Sequence, residues 1–102
     1  MFGEIRNPQG ELLDYAFAEG EGGGEQIVVI GHGVTANKDR AWATTLSDAL
    51  NAAGFASLRF SFSGNGDSEG DFRDSCPTKE VSDLGAVLDA IAASDRDWAV
   101  AY

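Results

Sequence analysis

The chain has 102 residues, enough for one domain with a modest core, and its 43% hydrophobic and 10% aromatic content excludes an intrinsically disordered protein. Seventeen acidic residues against seven basic ones give a formal net charge of −10, which repels nucleic-acid backbones and anionic lipid surfaces. We therefore expect neither a nucleic acid nor a membrane among its partners.

The first predicted element is a β-hairpin. Two short apolar runs, residues 1–6 and 12–17, flank the sequence NPQG at residues 7–10. Asparagine, proline and glycine favour tight turns, so the two runs are predicted to pair. The glycine-rich sequence EGEGGGE at residues 19–25 follows, and its composition predicts a surface loop.

A strand and a helix come next. The sequence QIVVI at residues 26–30 contains four consecutive β-branched residues, the composition of a strand buried on both faces. Apolar residues then recur at helical spacing, which predicts a helix over residues 39–53 that ends before Gly54. The predicted core-facing stripe of this helix is Trp42, Leu46, Ala49, Leu50 and Ala53.

A second strand, a long loop, a second helix and a third strand complete the chain. The sequence ASLRFSF at residues 56–62 predicts the strand, and the polar, glycine-punctuated residues 63–77 predict the loop. Thr78 is predicted to cap the helix. Its expected core stripe is Val81, Leu84, Leu88 and Ile91. The last strand is WAVAY, from Trp98 to Tyr102.

This order of elements predicts an α/β fold. We expect an N-terminal hairpin followed by a βαβαβ parallel sheet with helices on both faces. Residues 1–102 are predicted to form a single partial domain, because a buried strand normally runs on into a turn and a covering helix, and the chain ends inside its last strand.

The sequence has a single cysteine, and we expect no targeting segment. Cys76 alone excludes an intrachain disulfide and a metal site built on paired cysteines. The N-terminus lacks a basic region followed by an apolar run, and no stretch approaches about 18 continuous apolar residues. We predict a soluble, cytoplasmic protein without a metal site.

The pentapeptide GDSEG at residues 66–70 matches the G-x-S-x-G pattern of serine nucleophiles and places Ser68 at the reactive position. Such a nucleophile needs a strand that leads directly into a sharp turn and a helix that begins at once. Here the predicted strand ends several residues earlier, no helix pattern follows Gly70, and His32 is the only histidine that could act as base. The context therefore favours a loop serine over a nucleophile.

Two other binding motifs are weak. The acidic residues of the same loop fall on early EF-hand positions, but Cys76 stands where the closing glutamate is required, so a solvated loop is favoured over a calcium site. The sequence GHGVTA at residues 31–36 fits the G-x-G-x-x-A turn of dinucleotide-binding proteins, with Arg59 suited to a 2′-phosphate. An NADP-binding Rossmann-type module is thus one alternative, although loop-like residues rather than a helix start follow the turn.

Taken together, IVVIGHGVTANKDR, GFASLRFSFSGNGDSEGDF and the final WAVAY resemble the first half of an α/β-hydrolase, in particular the serine esterases that include feruloyl and cinnamoyl esterases. His32 and Gly33 resemble the HG motif after the third strand of that family. Residues 63–70 resemble the glycine-rich loop after its fourth strand. The resemblance spans nearly the whole chain.

The resemblance implies roles for specific residues. Val34, which follows HG, is expected to supply a backbone amide to the oxyanion hole, with Gly33 and His32 shaping the loop. For His32 alone, a loop-holding role is favoured over that of general base. The glycine-rich loop at the mouth of the active site is expected to contain Gly64, Gly66 and Ser68.

The resemblance also implies that the nucleophile follows residues 98–102 and that the catalytic acid and histidine come later still. The chain would then be the N-terminal portion of an enzyme that acts on small carboxylic esters by acyl transfer without a cofactor. It would be inactive until a C-terminal segment completed it.

A non-catalytic interaction module is the remaining alternative. The apolar last strand, from Trp98 to Tyr102, would present an unpaired sheet edge. Such an edge pairs with another strand, so dimerisation, strand swapping or capture of a complementing fragment is expected.

Overall fold

A two-stranded antiparallel hairpin opens the chain. The computed structural model of the protein describes residues 2–102, so Met1, the start of the predicted hairpin, lies outside the described residues. Strand β1 (Ile5–Arg6) pairs with β2 (Leu12–Leu13), and the Gly10 amide donates to the Asn7 carbonyl at 2.8 Å across the turn. The predicted hairpin is confirmed, with shorter strands than expected.

The main sheet has four strands: β3 (Tyr15–Ala18), β4 (Gln26–Ile30), β5 (Ala56–Phe60) and β6 (Ala99–Ala101). Their order across the sheet is β3-β5-β4-β6, and β4 pairs in parallel with both β5 and β6. Two helices make the crossovers: α1 (Ala41–Ala52) between β4 and β5, and α2 (Pro77–Ala92) between β5 and β6. The predicted βαβαβ order is confirmed.

Strand β3 departs from the prediction. The single strand predicted over residues 12–17 is divided at Asp14, and β3 pairs antiparallel with β5, with Tyr15 opposite Phe60. The sheet is therefore mixed rather than wholly parallel. At the division, the Asp14 amide donates to Ser68 Oγ at 2.8 Å and the Asp14 carbonyl accepts from the Ser61 amide at 2.9 Å. A run of apolar residues does not encode which strand it will pair with.

The two helices cover opposite faces of the sheet, as predicted. Helix α1 packs on one face through buried Ala43 and Ser47, and the Ser47 hydroxyl is hydrogen-bonded to that of Ser57 on β5. Helix α2 and the hairpin cover the other face, where the main core lies. That core contains Ile5, Leu13, Ile27, Val29, Ala56, Leu58, Phe60, Phe62, Val87 and Ile91.

The predicted core stripe of α1 is wrong at its bulkiest positions. Trp42 and Leu46 are 50% and 42% exposed, whereas Ala43 and Ser47 face the sheet. Small side chains at those two positions allow a close approach to β5, and the paired serine hydroxyls satisfy each other inside the interface. The helix is therefore rotated by one residue from the orientation that hydrophobicity alone predicts.

Helix α2 shows a similar rotation. Of its predicted stripe, Ile91 is buried, but Val81 is 70% exposed. The buried positions of α2 are Asp83, Val87 and Ile91. Thr78 is not the cap: the helix begins at Pro77, whose missing amide would have no intrahelical partner in any case.

No helix among residues 2–102 combines the length and the apolar character needed to cross a membrane.

Candidate functional site

The segments that follow the two central strands meet at one edge of the sheet. Because β4 and β5 are parallel, the chain leaves both strands at the same edge, which is where ligands bind in parallel sheets. A cavity of about 450 Å³ lies between these segments, a size suited to a small organic ligand. Its lining includes Gly33, Val34, Asn65, Phe72, Cys76 and Glu80.

A β-turn at residues 33–36 forms one wall of this cavity. The Ala36 amide donates to the Gly33 carbonyl at 3.2 Å, which places Val34 at the second position of the turn. The Val34 side chain is 80% exposed. Its backbone N–H forms no hydrogen bond with any group in residues 2–102, so it is free to donate to a ligand at the cavity wall.

His32 connects this turn to the segment that directly follows β5. The Phe62 amide donates to His32 Nε2 at 3.0 Å, so Nδ1 carries the proton and donates to the Gly33 carbonyl at 2.7 Å. The imidazole also packs edge-on against the Phe62 ring, with 5.1 Å between the ring centroids. Both ring nitrogens are thus bonded to the backbone, and the neutral tautomer is the form that fits.

The segment between the turn and α1 is held on β5 by a second set of contacts. The Lys38 amide donates to Ser61 Oγ at 3.0 Å, and Arg59 Nε donates to the Lys38 carbonyl at 3.1 Å. The Lys38 ammonium contacts Asp14 and Asp39, each at 2.8 Å. Burial alone would lower the pKa of this amine, but the two carboxylates outweigh burial and raise the pKa. The lysine is therefore charged and anchors the segment.

Comparison with known proteins produced matches in structure. No protein-family model matches the sequence, and no curated protein gives a significant match. Est1E from Butyrivibrio proteoclasticus, solved with bound ferulic acid, superposes with a TM-score of 0.83 at 24% identity, over 95% of this chain and 39% of its own. An α/β serine hydrolase homologue from Coxiella burnetii gives a TM-score of 0.73 at 28% identity, over 95% and 48%. α/β hydrolase domain-containing protein 10 from mouse gives 0.73 at 21% identity, over 96% and 37%.

The chain is part of an α/β-hydrolase fold. It spans 37–48% of the length of these three structures, so more than half of each lies outside the matched part.

Within this hydrolase fold, Ser68 lies in the loop after β5, not at a strand–helix junction. Its hydroxyl donates to the Ser61 carbonyl at 2.7 Å and accepts from the Asp14 amide at 2.8 Å. Both hydrogen bonds are made to backbone groups, one directly after β5 and one between β2 and β3. The single histidine of the chain, His32, is fully engaged elsewhere. No base among residues 2–102 is arranged to activate Ser68.

The rest of the GDSEG sequence also binds the N-terminal strands. The Glu69 amide donates to the Leu12 carbonyl, and the Leu12 amide donates to the Glu69 carboxylate, each at 2.8 Å. Gly64 and Gly66 have φ angles of +79° and +52°. A Cβ on Gly64 would lie 2.6 Å from the Phe72 amide nitrogen, so glycine is required where the loop folds back on itself. Of residues 63–70, Asn65 is the one that lines the cavity.

Asp83 on α2 is a residue that sequence reasoning missed. It is fully buried, and its carboxylate accepts from the Ser63 amide (2.8 Å), the Ser63 hydroxyl (2.7 Å) and the Asn7 side-chain amide (2.9 Å). Asp83 therefore joins the hairpin, α2 and the start of the loop after β5. An aspartate in a helix usually faces solvent, and nothing in the local sequence distinguishes this one.

A charged pair extends the same network towards the surface. Asn7 Nδ2 donates to the Glu11 carboxylate at 2.8 Å, and the Lys79 ammonium forms an ion pair with the same carboxylate at 2.9 Å. The Asn7 hydrogen bond and then Lys79 lower the pKa of the Glu11 carboxyl. A carboxylate with a lowered folded-state pKa contributes stability above its unfolded pKa, and this stability is lost as the pH falls through the folded-state pKa.

We therefore expect Glu11→Gln to lower the free energy of unfolding by about 1 kcal/mol at pH 7 and by progressively less below about pH 4. Urea unfolding at pH 7 and pH 3 measures both values. Glu21→Gln, at an exposed position of the glycine-rich loop, is the control and should leave stability unchanged at either pH. A Glu11→Gln effect of the same size at pH 3 would contradict the assignment.

Among residues 2–102, no group of three or more histidine, cysteine, aspartate or glutamate side chains is arranged to hold a metal ion.

Proposed function

We propose that the chain is the N-terminal portion of a serine hydrolase that acts on carboxylic esters by acyl transfer, with the Val34 amide as one donor of the oxyanion hole. The observation that carries this proposal is the unbonded Val34 N–H, which lies in the turn after β4, at the wall of a cavity, on a hydrolase fold. In acyl transfer the carbonyl oxygen gains negative charge in the tetrahedral intermediate. A donor already held in place stabilises that charge without reorganisation.

The cavity beside Val34 is the proposed site of the ester. Phe72, whose side chain is partly exposed, and Pro77 supply apolar surface, and Asn65 and Glu80 supply polar groups. The ferulic acid of the Est1E structure is a ligand of that protein. For this chain, the 450 Å³ volume supports a small carboxylic ester as substrate, without distinguishing its acyl from its alcohol group.

The nucleophile, the acid and the catalytic histidine are proposed to come from a C-terminal segment. Ser68 and His32 are both committed to backbone hydrogen bonds, which leaves them unable to act as nucleophile and base. Further support comes from apolar side chains that the described part of the chain leaves exposed. They include Trp42, Leu46, Val81, Leu88, Val100 and Tyr102.

A fluorophosphonate probe and an activated ester such as p-nitrophenyl acetate test the proposal. The pure chain should neither hydrolyse the ester nor take up the probe. A polypeptide in which a C-terminal hydrolase segment completes the fold should do both, with the label on a serine of the added segment. Ser68→Ala is the matched control and should label as strongly as the parent. Labelling of Ser68 itself would refute the proposal.

A second candidate function, a strand-pairing interaction module, is favoured by the edge of the sheet at β6. This strand is the last in the sheet order, carries no charge, and is followed by Tyr102, which is 66% exposed. Uncharged, exposed edges pair with other strands.

Light scattering should then show concentration-dependent dimers, and dimerisation should be stronger at high salt, because two chains of charge −10 repel each other less when salt screens the charges. Val100→Lys should abolish them, and a monomer at high concentration and high salt would exclude this function.

An NADP-binding module is not proposed. Dinucleotide sites place the pyrophosphate at the N-terminus of a helix that begins within the glycine turn. Here α1 does not begin until Ala41, and the residues between Gly33 and that position form a loop.

A further inference from the structure

The cavity beside Val34 is lined by two charged residues, Arg73 and Glu80. Arg73 Nε and Nη2 donate to the Asp71 carboxylate at 3.0 Å and 2.6 Å. These hydrogen bonds lower the pKa of the Asp71 carboxyl, so both partners are charged and the pair has no net charge. The one cation at the wall of the cavity is therefore already neutralised by the protein.

The second charge, that of Glu80, has no such partner. Glu80 is half-buried, and its carboxylate forms no hydrogen bond or ion pair with any group in residues 2–102, since the neighbouring Lys79 ammonium is paired with Glu11. Glu80 also lines a second cavity, of about 270 Å³, together with Tyr102. Burial and then the Glu80 charge raise the pKa of the Tyr102 hydroxyl. The Glu80 charge therefore acts on the space around it without a cation to compensate it.

The start of α2 does not reverse this negative charge. The N-terminus of a helix carries a partial positive charge that attracts anions. Glu80 lies in the first turn of α2, so its carboxylate compensates that partial charge. The formal net charge of −10 adds to the negative potential of the surroundings. An anionic ligand in the cavity would meet an unpaired carboxylate and no uncompensated cation among the described lining residues.

We infer that the site takes neutral or cationic esters, and that Glu80 is the specificity-determining residue that favours cationic esters over anionic ones. The inference rests on the proposed function, in which this cavity holds the ester. An anionic ester would lose part of its hydration on entry without gaining a partner for its charge. An ammonium group would be attracted by the Glu80 carboxylate, and the 44% exposed side chain of Phe72 at the same cavity is of the aromatic kind that binds such cations.

Binding to the pure chain tests the inference without catalysis. Benzyltrimethylammonium and phenylacetate are probes of similar size and opposite charge. In ¹H–¹⁵N spectra the cation should shift the amides of the cavity wall, including that of Val34, and phenylacetate should leave them unchanged. Glu80→Gln should weaken the binding of benzyltrimethylammonium about fivefold, and the difference should diminish at high salt.

Glu21→Gln is the matched control. It removes one negative charge from the loop before β4, at the opposite edge of the sheet, and should leave the binding of both probes unchanged. Melting curves establish that both variants are folded. Equal shifts from the two probes, or an affinity for the cation that Glu80→Gln leaves unchanged, would overturn the inference.

In a hydrolase completed by a C-terminal segment, the same preference should appear in kcat/KM. The substrates are p-nitrophenyl hexanoate, mono-p-nitrophenyl adipate as the anionic ester, and the hexanoate with a terminal trimethylammonium group as the cationic ester. The parent should hydrolyse the anionic ester about tenfold less efficiently than the neutral one, and Glu80→Gln should reduce this difference to about twofold. A difference that Glu80→Gln leaves unchanged would overturn the inference. Failure of the completed protein to react with fluorophosphonate would refute the proposed function separately, because the binding test on the pure chain needs no nucleophile.

Discussion

Replacing Asp83 with alanine is expected to lower the free energy of unfolding by about 3 kcal/mol. The substitution removes a fully buried carboxylate that accepts three hydrogen bonds, two from Ser63 and one from Asn7. Each donor would remain buried with its acceptor gone, which costs more than the hydrogen bond itself contributed. Because Asp83 joins three elements, its loss should also loosen the loop after β5.

Urea unfolding followed by circular dichroism measures this change. Asp89→Ala is the matched control, since Asp89 lies exposed on the same helix and its substitution should change stability by less than about 0.5 kcal/mol. Asp83→Asn keeps the size of the side chain but only one acceptor oxygen, so an intermediate loss of about 2 kcal/mol is expected. Equal effects at positions 83 and 89 would show that the buried carboxylate does not hold these elements together.

If a C-terminal segment completes the hydrolase and Val34 donates to the oxyanion, as proposed, Val34→Pro is expected to lower kcat by about 10²–10³-fold, the usual cost of one lost oxyanion donor. Proline removes the backbone N–H, and no other contact that stabilises the fold is lost at this position. The Val34 side chain is 80% exposed, its amide is unbonded within residues 2–102, and the second position of a β-turn favours proline. The variant should therefore fold as stably as the parent.

Val34→Ala is the control, because it shortens the side chain and keeps the N–H. Its kcat should stay within a few-fold of the parent, and steady-state kinetics with an activated ester compares the two variants directly. Melting curves of both establish that the fold is intact. If Val34→Pro retained full activity, the oxyanion donor would have to be a different amide.

The three parallel strands of this protein, β4, β5 and β6, were predictable from local composition. Residues 26–30 form β4 with the predicted bounds, because four adjacent β-branched residues favour an extended chain whatever surrounds them. The helices were also located, to within two residues at the start of α1. The face that each helix buries was not predicted. Trp42 and Val81 were predicted to be buried, yet both are exposed, whereas Ser47 and Asp83 are buried because they have hydrogen-bond partners inside the fold.

The candidate site was predictable only in outline. The HG sequence and its position after the strongest strand indicated the turn that contains Val34. The context of GDSEG indicated that Ser68 is a loop residue, and its two backbone hydrogen bonds agree with that interpretation. The left-handed conformation of Thr35 could not be foreseen, because threonine normally avoids it and the contacts that hold it there come from the folded chain.

The sequence by itself determined which segments are strands, helices and loops, and that GDSEG lies in a loop, since these depend on the composition and spacing of neighbouring residues. Only the tertiary structure decided three other features: that β3 pairs with β5, which face of each helix is buried, and that Asp83 lies inside the protein. Each of these depends on groups far apart in the chain. Asn7 and Ser63, for example, meet the same carboxylate only after the hairpin, the sheet and α2 have come together.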